Sequence, residues 1–217
     1  MLTLVIGNKN YSSWSLRPWL LLKVSGLPFE EIRIPLYQPQ SSEQILAYSP
    51  SGKVPVLLDG DHKVWDSLAI GEYLAERFPE KHLWPGEPMA RAQARSISAE
   101  MHSGFSHLRT HMSMNCRRHF PGRGRTPEVQ REIARIIEIW EDCRARYREG
   151  PFLFGEFSIA DAMYAPVVLR FQTYAVTLSP LASSYAQEIL ALPAIQEWLA
   201  SAGAESETIP EFESYSE

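Results

Sequence analysis

Cysteine is scarce: Cys116 and Cys143 are the only two in 217 residues, far apart and in no CxxC pair. Two isolated thiols argue against a disulfide framework and a cysteine zinc site, and they suit the reducing cytoplasm. A basic excess is also missing, since 21 Lys and Arg stand against 26 Asp and Glu, a net charge of -5. A general nucleic-acid binder normally carries the opposite imbalance, so that class is disfavoured. The opening MLTLVIGNKN is too short for a membrane span, and it has no basic residues ahead of its apolar stretch as a signal peptide does. Neither an internal repeat nor a low-complexity tract is found.

The composition that remains, 45% hydrophobic and 22% charged, is that of a globular protein able to bury a core as one large or two small domains. Over the first eighty residues the elements alternate. Leu2 to Ile6 reads as a buried strand, and SWSLRPWLLLKVSG as a helix stopped by Gly26. Phe29 to Leu36 places Ile32, Ile34 and Leu36 on one face, as a half-buried strand does. Ser42 to Tyr48 fits a short helix before the turn Ser49-Pro50-Ser51-Gly52. Val56 to Leu58 and His62 to Trp65 form a hairpin across Asp59-Gly60-Asp61, and Ser67 to Phe78 is a helix. The order βαβ then ββα predicts a small sheet with helices packed on it, an α/β unit over residues 1–79.

Three prolines and a glycine between Pro79 and Pro88 mark a linker, placed at 80–88. Residues 89–217 read as all-helical. Ala94, Ile97, Met101, Phe105, Leu108 and Met112 recur every three or four positions, as do Val129, Ile133, Ile136, Trp140, Cys143 and Tyr147. Ile159 to Tyr174 and Tyr185 to Leu199 supply two more helices, and the acidic end from Glu205 to Glu217 reads as a loosely held tail.

Three segments carry candidate chemistry. Tyr11-Ser12-Ser13-Trp14-Ser15-Leu16-Arg17 lies where the first strand passes into the first helix. A helix start offers unpaired N–H groups and partial positive charge, so hydroxyls there either cap the helix or help hold an anion. Lys53-Val54-Pro55 enters a strand. A proline there is ordinarily an edge residue, but a cis bond would turn the Val54 backbone outward to meet an extended peptide. Asp66-Ser67 begins another helix. It is either a plain N-cap or a grip on an amino-acid head group, with Asp66 on the ammonium and Ser67 on the carboxylate.

In order and spacing these segments resemble the glutathione transferase superfamily. SPSGKVPVL followed by WDSLAIGEYLAE is similar to that family's glutathione site, with the likeness running from Leu2 to about Phe78. Ser158-Ile-Ala-Asp161-Ala-Met-Tyr-Ala-Pro166 resembles its helix-start motif in the second domain, and has capping-box spacing with Asp in place of Glu or Gln. The resemblance implies a thioredoxin-like domain followed by an all-α domain, a cytoplasmic homodimer, and glutathione as co-substrate bound by Lys53, Val54, Pro55, Asp66 and Ser67. It also implies a detoxifying activity that needs no metal. YSSWSLR is most similar to the serine-type site of the zeta class. That makes Ser12, or Ser13 if the helix begins one residue later, the hydroxyl that meets the sulfur. Trp14 stands where that class commonly has cysteine, which counts against maleylacetoacetate isomerisation and against cysteine-based thiol transfer.

The second, electrophilic substrate is expected in a largely apolar pocket of the helical domain, near Trp14, Phe105, Arg109, Met112 and Asn115. Phe105 and Met112 also keep the helix's apolar stripe and so fit a core equally well. Arg109, Asn115 and Arg117 suit an anionic or carbonyl-bearing group. Arg117, Arg118, Arg123 and Arg125 read equally as a solvated turn. His107 and His111, four apart, have metal-ligand spacing, but no third and fourth ligand stands near them in the sequence, and His102 is a further neighbour. Beside conjugation stand three alternatives: a glutathione-dependent isomerase, a peroxidase, and a non-enzymatic interaction protein of the same fold.

Overall fold

The computed structural model describes residues 1–213. Strand β1 (Leu2–Ile6) lies inside a four-stranded sheet of order β2-β1-β3-β4. It pairs in parallel with β2 (Phe29–Arg33) and antiparallel with β3 (Val56–Asp59), which pairs antiparallel with β4 (His62–Val64). The apolar run LTLVI suits the inner position, because a strand covered on both faces does not alternate. FEEIR, more exposed, takes the edge. Between β1 and β2 runs α1 (Ser13–Val24). Gly26, at φ 67°, ends that crossover by letting the Leu27 N–H turn back to the Leu22 carbonyl at 3.1 Å. Gly60, at φ 59°, takes the first place of the two-residue loop between Asp59 and His62.

The second strand is shorter than its pattern suggests. Ile34 N–H still reaches the Ile6 carbonyl at 2.9 Å, but Pro35 has no N–H to extend the ladder. Ile34 nonetheless packs with Val5, Ile45 and Val56, and Ile32 and Leu36 join them, so the expected face exists without the full strand. Helix α2 (Ser41–Tyr48) covers it. Trp65, expected at the end of a strand, lies just beyond β4, before α3 (Ser67–Arg77).

Past a short turn at Pro79–Lys81 the chain is helical, though divided more often than its periodicity suggests. The stripe from Ala94 to Met112 is two helices, α4 (Pro88–Ser103) and α5 (Ser106–His111). Gly104 is extended between them and Phe105 takes φ 57°. All six stripe residues are buried, so the core bridges the break. Then come α6 (Pro127–Arg146) and α7 (Ile159–Thr173). The helix expected from Tyr185 to Leu199 is also two, α8 (Pro180–Ala191) and α9 (Pro193–Ala204), because Pro193 cannot continue a helix but can begin one.

Helix α7 is buried almost all round and forms the axis of the helical region. Helix α1 packs against it, and one hydrophobic cluster joins Leu16, Trp19 and Leu20 of α1 to Ile159, Ala162 and Val167 of α7. The start of α1 is thereby held against the helical region.

Candidate active site

The turn Gly7-Asn8-Lys9-Asn10 delivers the chain from β1 to α1, with the Asn8 carbonyl accepting from Tyr11 N–H (3.2 Å) and Ser12 N–H (2.8 Å). Ser12 occupies the N-cap position but does not cap. Its Oγ donates to Ser15 Oγ at 2.7 Å, and Ser15 Oγ also accepts from Gly7 N–H at 3.1 Å. Ser13 is the first helical residue, and its Oγ accepts from Arg170 Nη2 at 3.1 Å. The helix start is therefore left without a side-chain cap, and its partial positive charge faces the cavity. At α3 the opposite holds: Asp66 caps, accepting from Leu68 N–H at 2.8 Å.

Two adjoining cavities meet at this point. One, of about 580 Å³, is lined by Lys53, Val54, Pro55, Asp66, Ser67 and Trp14 among others. The other, of about 410 Å³, is lined by Ser12, Ser13, Arg109, Arg170, Met114 and Phe212 among others. Trp14, Lys53 and Val54 face both. The Val54–Pro55 and Trp65–Asp66 peptide bonds are both cis.

Positive charge surrounds Trp14. The Arg17 guanidinium lies 4.3 Å from its ring centroid and that of Arg109 lies 4.9 Å away, as cation–π partners. Arg17 is buried, with Nη1 donating to Ser67 Oγ at 3.4 Å. Burial, with Arg109 and Arg170 nearby, pulls its pKa down to about 9, which leaves it charged at neutral pH. Arg109, lowered mainly by burial, donates to the carbonyls of Met101 and His102. His102 Nε2 lies 3.1 Å from Asp66 Oδ2. Burial lowers the His102 pKa, and Asp66 only partly opposes this. Both cysteines are pushed up to about 12 by burial, so neither is a thiolate near pH 7.

The five residues expected at a glutathione site thus share one cavity, and Ser12, Ser13, Trp14 and Arg109 share the other. Three expected pocket residues lie elsewhere. Phe105 and Met112 are core side chains, as their place in the apolar stripe allowed. Asn115 is fully buried, its amide donating to the Phe212 carbonyl (2.9 Å) and to Glu213 (3.2 Å). His107 and His111 stack with centroids 6.5 Å apart, and no cluster of three or more potential metal ligands occurs among the described residues.

Sequence reasoning missed Arg17 and Arg170, although a lone arginine inside SLRPWLLL or VVLRFQT is itself a signal. Such a charge in a buried helix needs a purpose or a partner.

The acidic end is a docked strap, not a loose tail, as far as Glu213; residues 214–217 lie outside the described residues. The Glu205 carboxylate accepts from the N–H groups of Lys9 (2.6 Å) and Asn10 (3.1 Å). Ile209 is buried, and Phe212 contacts Tyr11 and Tyr37 at the cavity wall. Arg117, expected near substrate or in a solvated turn, instead donates to Tyr11 Oη (2.8 Å) and to the strap's Glu207 carbonyl (2.9 Å).

Glu213 accepts from Tyr11, Arg118 (2.6 Å) and Asn115 (3.2 Å). Burial opposes its ionisation, but these donors outweigh it and hold the carboxyl below its usual range. A depressed pKa in the fold means that docking is stabilised above the ordinary glutamate value of about 4.3, and that this contribution is lost as pH falls through the folded value. Amide exchange across 205–213, corrected for intrinsic rates, is expected to hold steady from about pH 8 to 5 and to accelerate below about pH 4. Glu213→Gln should show faster exchange already at neutral pH. A wild-type strap as well protected below about pH 4 as at neutral pH would remove the carboxylate from the account.

Two family profiles match the chain: "Glutathione S-transferase, N-terminal domain" over residues 11–77 and "Glutathione S-transferase, C-terminal domain" over 123–201. Maleylacetoacetate isomerase of Rattus norvegicus is 31% identical over 193 residues, covering 85% of each chain. Glutathione S-transferase GstB of Escherichia coli K12 is 26% identical over 207 residues, covering 89% of this chain and 96% of its own. Among solved structures, a glutathione transferase homolog from Burkholderia with bound glutathione superposes at TM-score 0.70 and 24% identity, covering 93% of this chain and 97% of its own.

Proposed function

This chain belongs to the glutathione S-transferase superfamily, and we propose that its two cavities divide the work of a glutathione-dependent transferase between them. The 580 Å³ cavity takes glutathione: Val54 meets its extended backbone, Lys53 and Ser67 its carboxylates, Asp66 its ammonium. The sulfur then lies at the open start of α1, beside Ser12 and Ser13. A free thiol with a pKa of about 8.5 is mostly protonated at pH 7, and hydroxyl donation together with the helix terminus stabilises the thiolate. The thiolate attacks an electrophilic carbon of a small, largely apolar molecule held in the 410 Å³ cavity. A homodimer in the cytoplasm is the setting that the family suggests.

One observation carries this reading: three segments far apart in sequence, 12–14, 53–55 and 66–67, converge on adjoining cavities at an uncapped helix start. Calorimetric titration with glutathione tests it. Asp66→Ala removes a charged partner of the ammonium, a contact of about 1.5–3 kcal/mol, so affinity should fall about 10- to 100-fold. Absence of binding by the wild type would overturn the assignment.

The relative named maleylacetoacetate isomerase favours a second reading, in which glutathione is returned unchanged. Product formed without net glutathione consumption selects it; stoichiometric consumption selects conjugation.

A further inference from the structure

We infer that Arg170, contributed by the helical domain, is a positioning residue that makes Ser13, and not Ser12, the donor to the glutathione sulfur. The inference rests on the proposed transferase reading and assigns the one hydroxyl that reading leaves open.

A hydroxyl has one proton. That of Ser12 is spent inward, on Ser15 Oγ at 2.7 Å. Ser15 is fully buried and already accepts the Gly7 N–H at 3.1 Å, so the pair is anchored to the end of β1 even though Ser12 borders the cavity. Ser13 is arranged the other way round. Its Oγ accepts from Arg170 Nη2 at 3.1 Å, and no acceptor for its own proton occurs among the described residues. A guanidinium has donors and no acceptor, so it can only fill a lone pair of Ser13 and leave the O–H to turn outward. The cation also polarises that O–H, which strengthens it as a donor to an anion.

Arg170 is itself fixed. It lies on α7, 6% exposed, and a second nitrogen donates to the Met112 carbonyl just beyond α5. Ser13 is half-buried at the first helical position, where the helix terminus adds to the same field. One side chain of the helical domain thus sets the direction of a hydroxyl in the sheet domain. In the chemical step the glutathione S–H loses its proton to water, Ser13 keeps its own, and a hydrogen bond from Ser13 to sulfur replaces solvation of the thiolate. No covalent bond to the protein forms.

The test is the pH titration of the ultraviolet thiolate band of bound glutathione, in wild type, Ser12→Ala, Ser13→Ala, Arg170→Gln, Arg170→Lys and the Ser13→Ala/Arg170→Gln double variant. Ser13→Ala should raise the apparent pKa of the bound thiol by about one pH unit or more toward the free value, a tenfold loss of ionisation. Ser12→Ala should leave it within about 0.3 pH unit. Arg170→Gln should raise it, and Arg170→Lys, which keeps a charged donor, should restore part of the loss. The double variant should match Ser13→Ala alone, because Arg170 acts through Ser13; a merely structural or through-space role would add to it.

A rise in Ser12→Ala with none in Ser13→Ala overturns the inference while leaving the transferase reading intact. Additive effects in the double variant overturn the positioning role of Arg170. A wild type that neither binds nor ionises glutathione removes both the reading and the inference. If Arg170→Gln does not fold, Arg170→Lys in the wild-type and Ser13→Ala backgrounds decides the same question.

Discussion

Replacing Asp161 with alanine is expected to destabilise the protein by on the order of 3–5 kcal/mol, a large share of the stability of a domain this size. Asp161 is fully inaccessible at the start of α7. One carboxylate oxygen accepts from Leu153 N–H at 3.0 Å, and the other from Ser158 N–H at 2.8 Å and Ser158 Oγ at 3.1 Å. Alanine leaves these buried donors without partners, each costing about 1–3 kcal/mol. It also releases the 150–158 segment that the carboxylate ties to the helix. Asp161→Asn should fall between wild type and alanine, because its NH₂ is set against an N–H where a carboxylate oxygen accepted. Urea unfolding measures both. A loss under about 1 kcal/mol for alanine would mean that water or a rearranged loop takes over these bonds.

The same residue gives a pH signature. Burial pushes Asp161 up to about 6 despite its hydrogen bonds, so the folded state holds its proton more tightly than the unfolded chain does. Its contribution to stability is therefore fully present below the ordinary value near 3.8, and is lost as pH rises through about 6. The stability gap between wild type and Asp161→Asn should be wider at pH 5 than at pH 7. Comparing the two proteins cancels carboxylates such as Glu213 and Glu207, whose depressed values act in the opposite sense.

The Ser158/Asp161 capping pair was legible because its chemistry is local: the spacing itself brings each side chain to the other's backbone. The order of strands and helices along the first domain and the Asp59-Gly60 hairpin were legible for related reasons, since turn residues and helix starts mark the chain where they act, whereas the grouping of Lys53, Val54, Pro55, Asp66 and Ser67 came from the family resemblance. What escaped depends on contacts across long separations. Periodicity carried the Ala94–Met112 stripe through the Gly104–Phe105 break, because both helices bury the same stripe in one core. Asn115 looked like a polar pocket residue, and only the docked strap reveals what its amide is for. Acidic composition in Glu205 to Glu213 suggested solvent, yet Glu205 lies against backbone N–H groups some two hundred positions earlier. Composition reports the cost of burying a carboxylate and is silent on partners supplied by the fold.

Trp198 joins the two regions, and its removal is the second large effect expected. Its ring, fully buried on α9, packs 5.0 Å from that of Trp19 on α1 at 64°, edge to face. Lys9 Nζ lies 4.9 Å from the Trp19 ring and 5.5 Å from the Trp198 ring, and pairs with Glu31 at 2.9 Å. Trp198→Ala empties one side of this stack and should cost about 3–5 kcal/mol, whereas Trp198→Phe, which keeps an aromatic edge, should cost clearly less. The damage should also be directional. Helix α9 ends at Ala204, immediately before Glu205, so a loosened α9 frees the strap that carries Phe212 to the cavity wall. Glutathione affinity, which in the proposed site rests on the α3 side with Asp66 and Ser67, should change little. Turnover of a bulky apolar electrophile at saturating glutathione should fall, mainly through a higher KM. Equal losses in glutathione affinity and electrophile KM would show that α9 supports the whole site through α1, and not the strap alone.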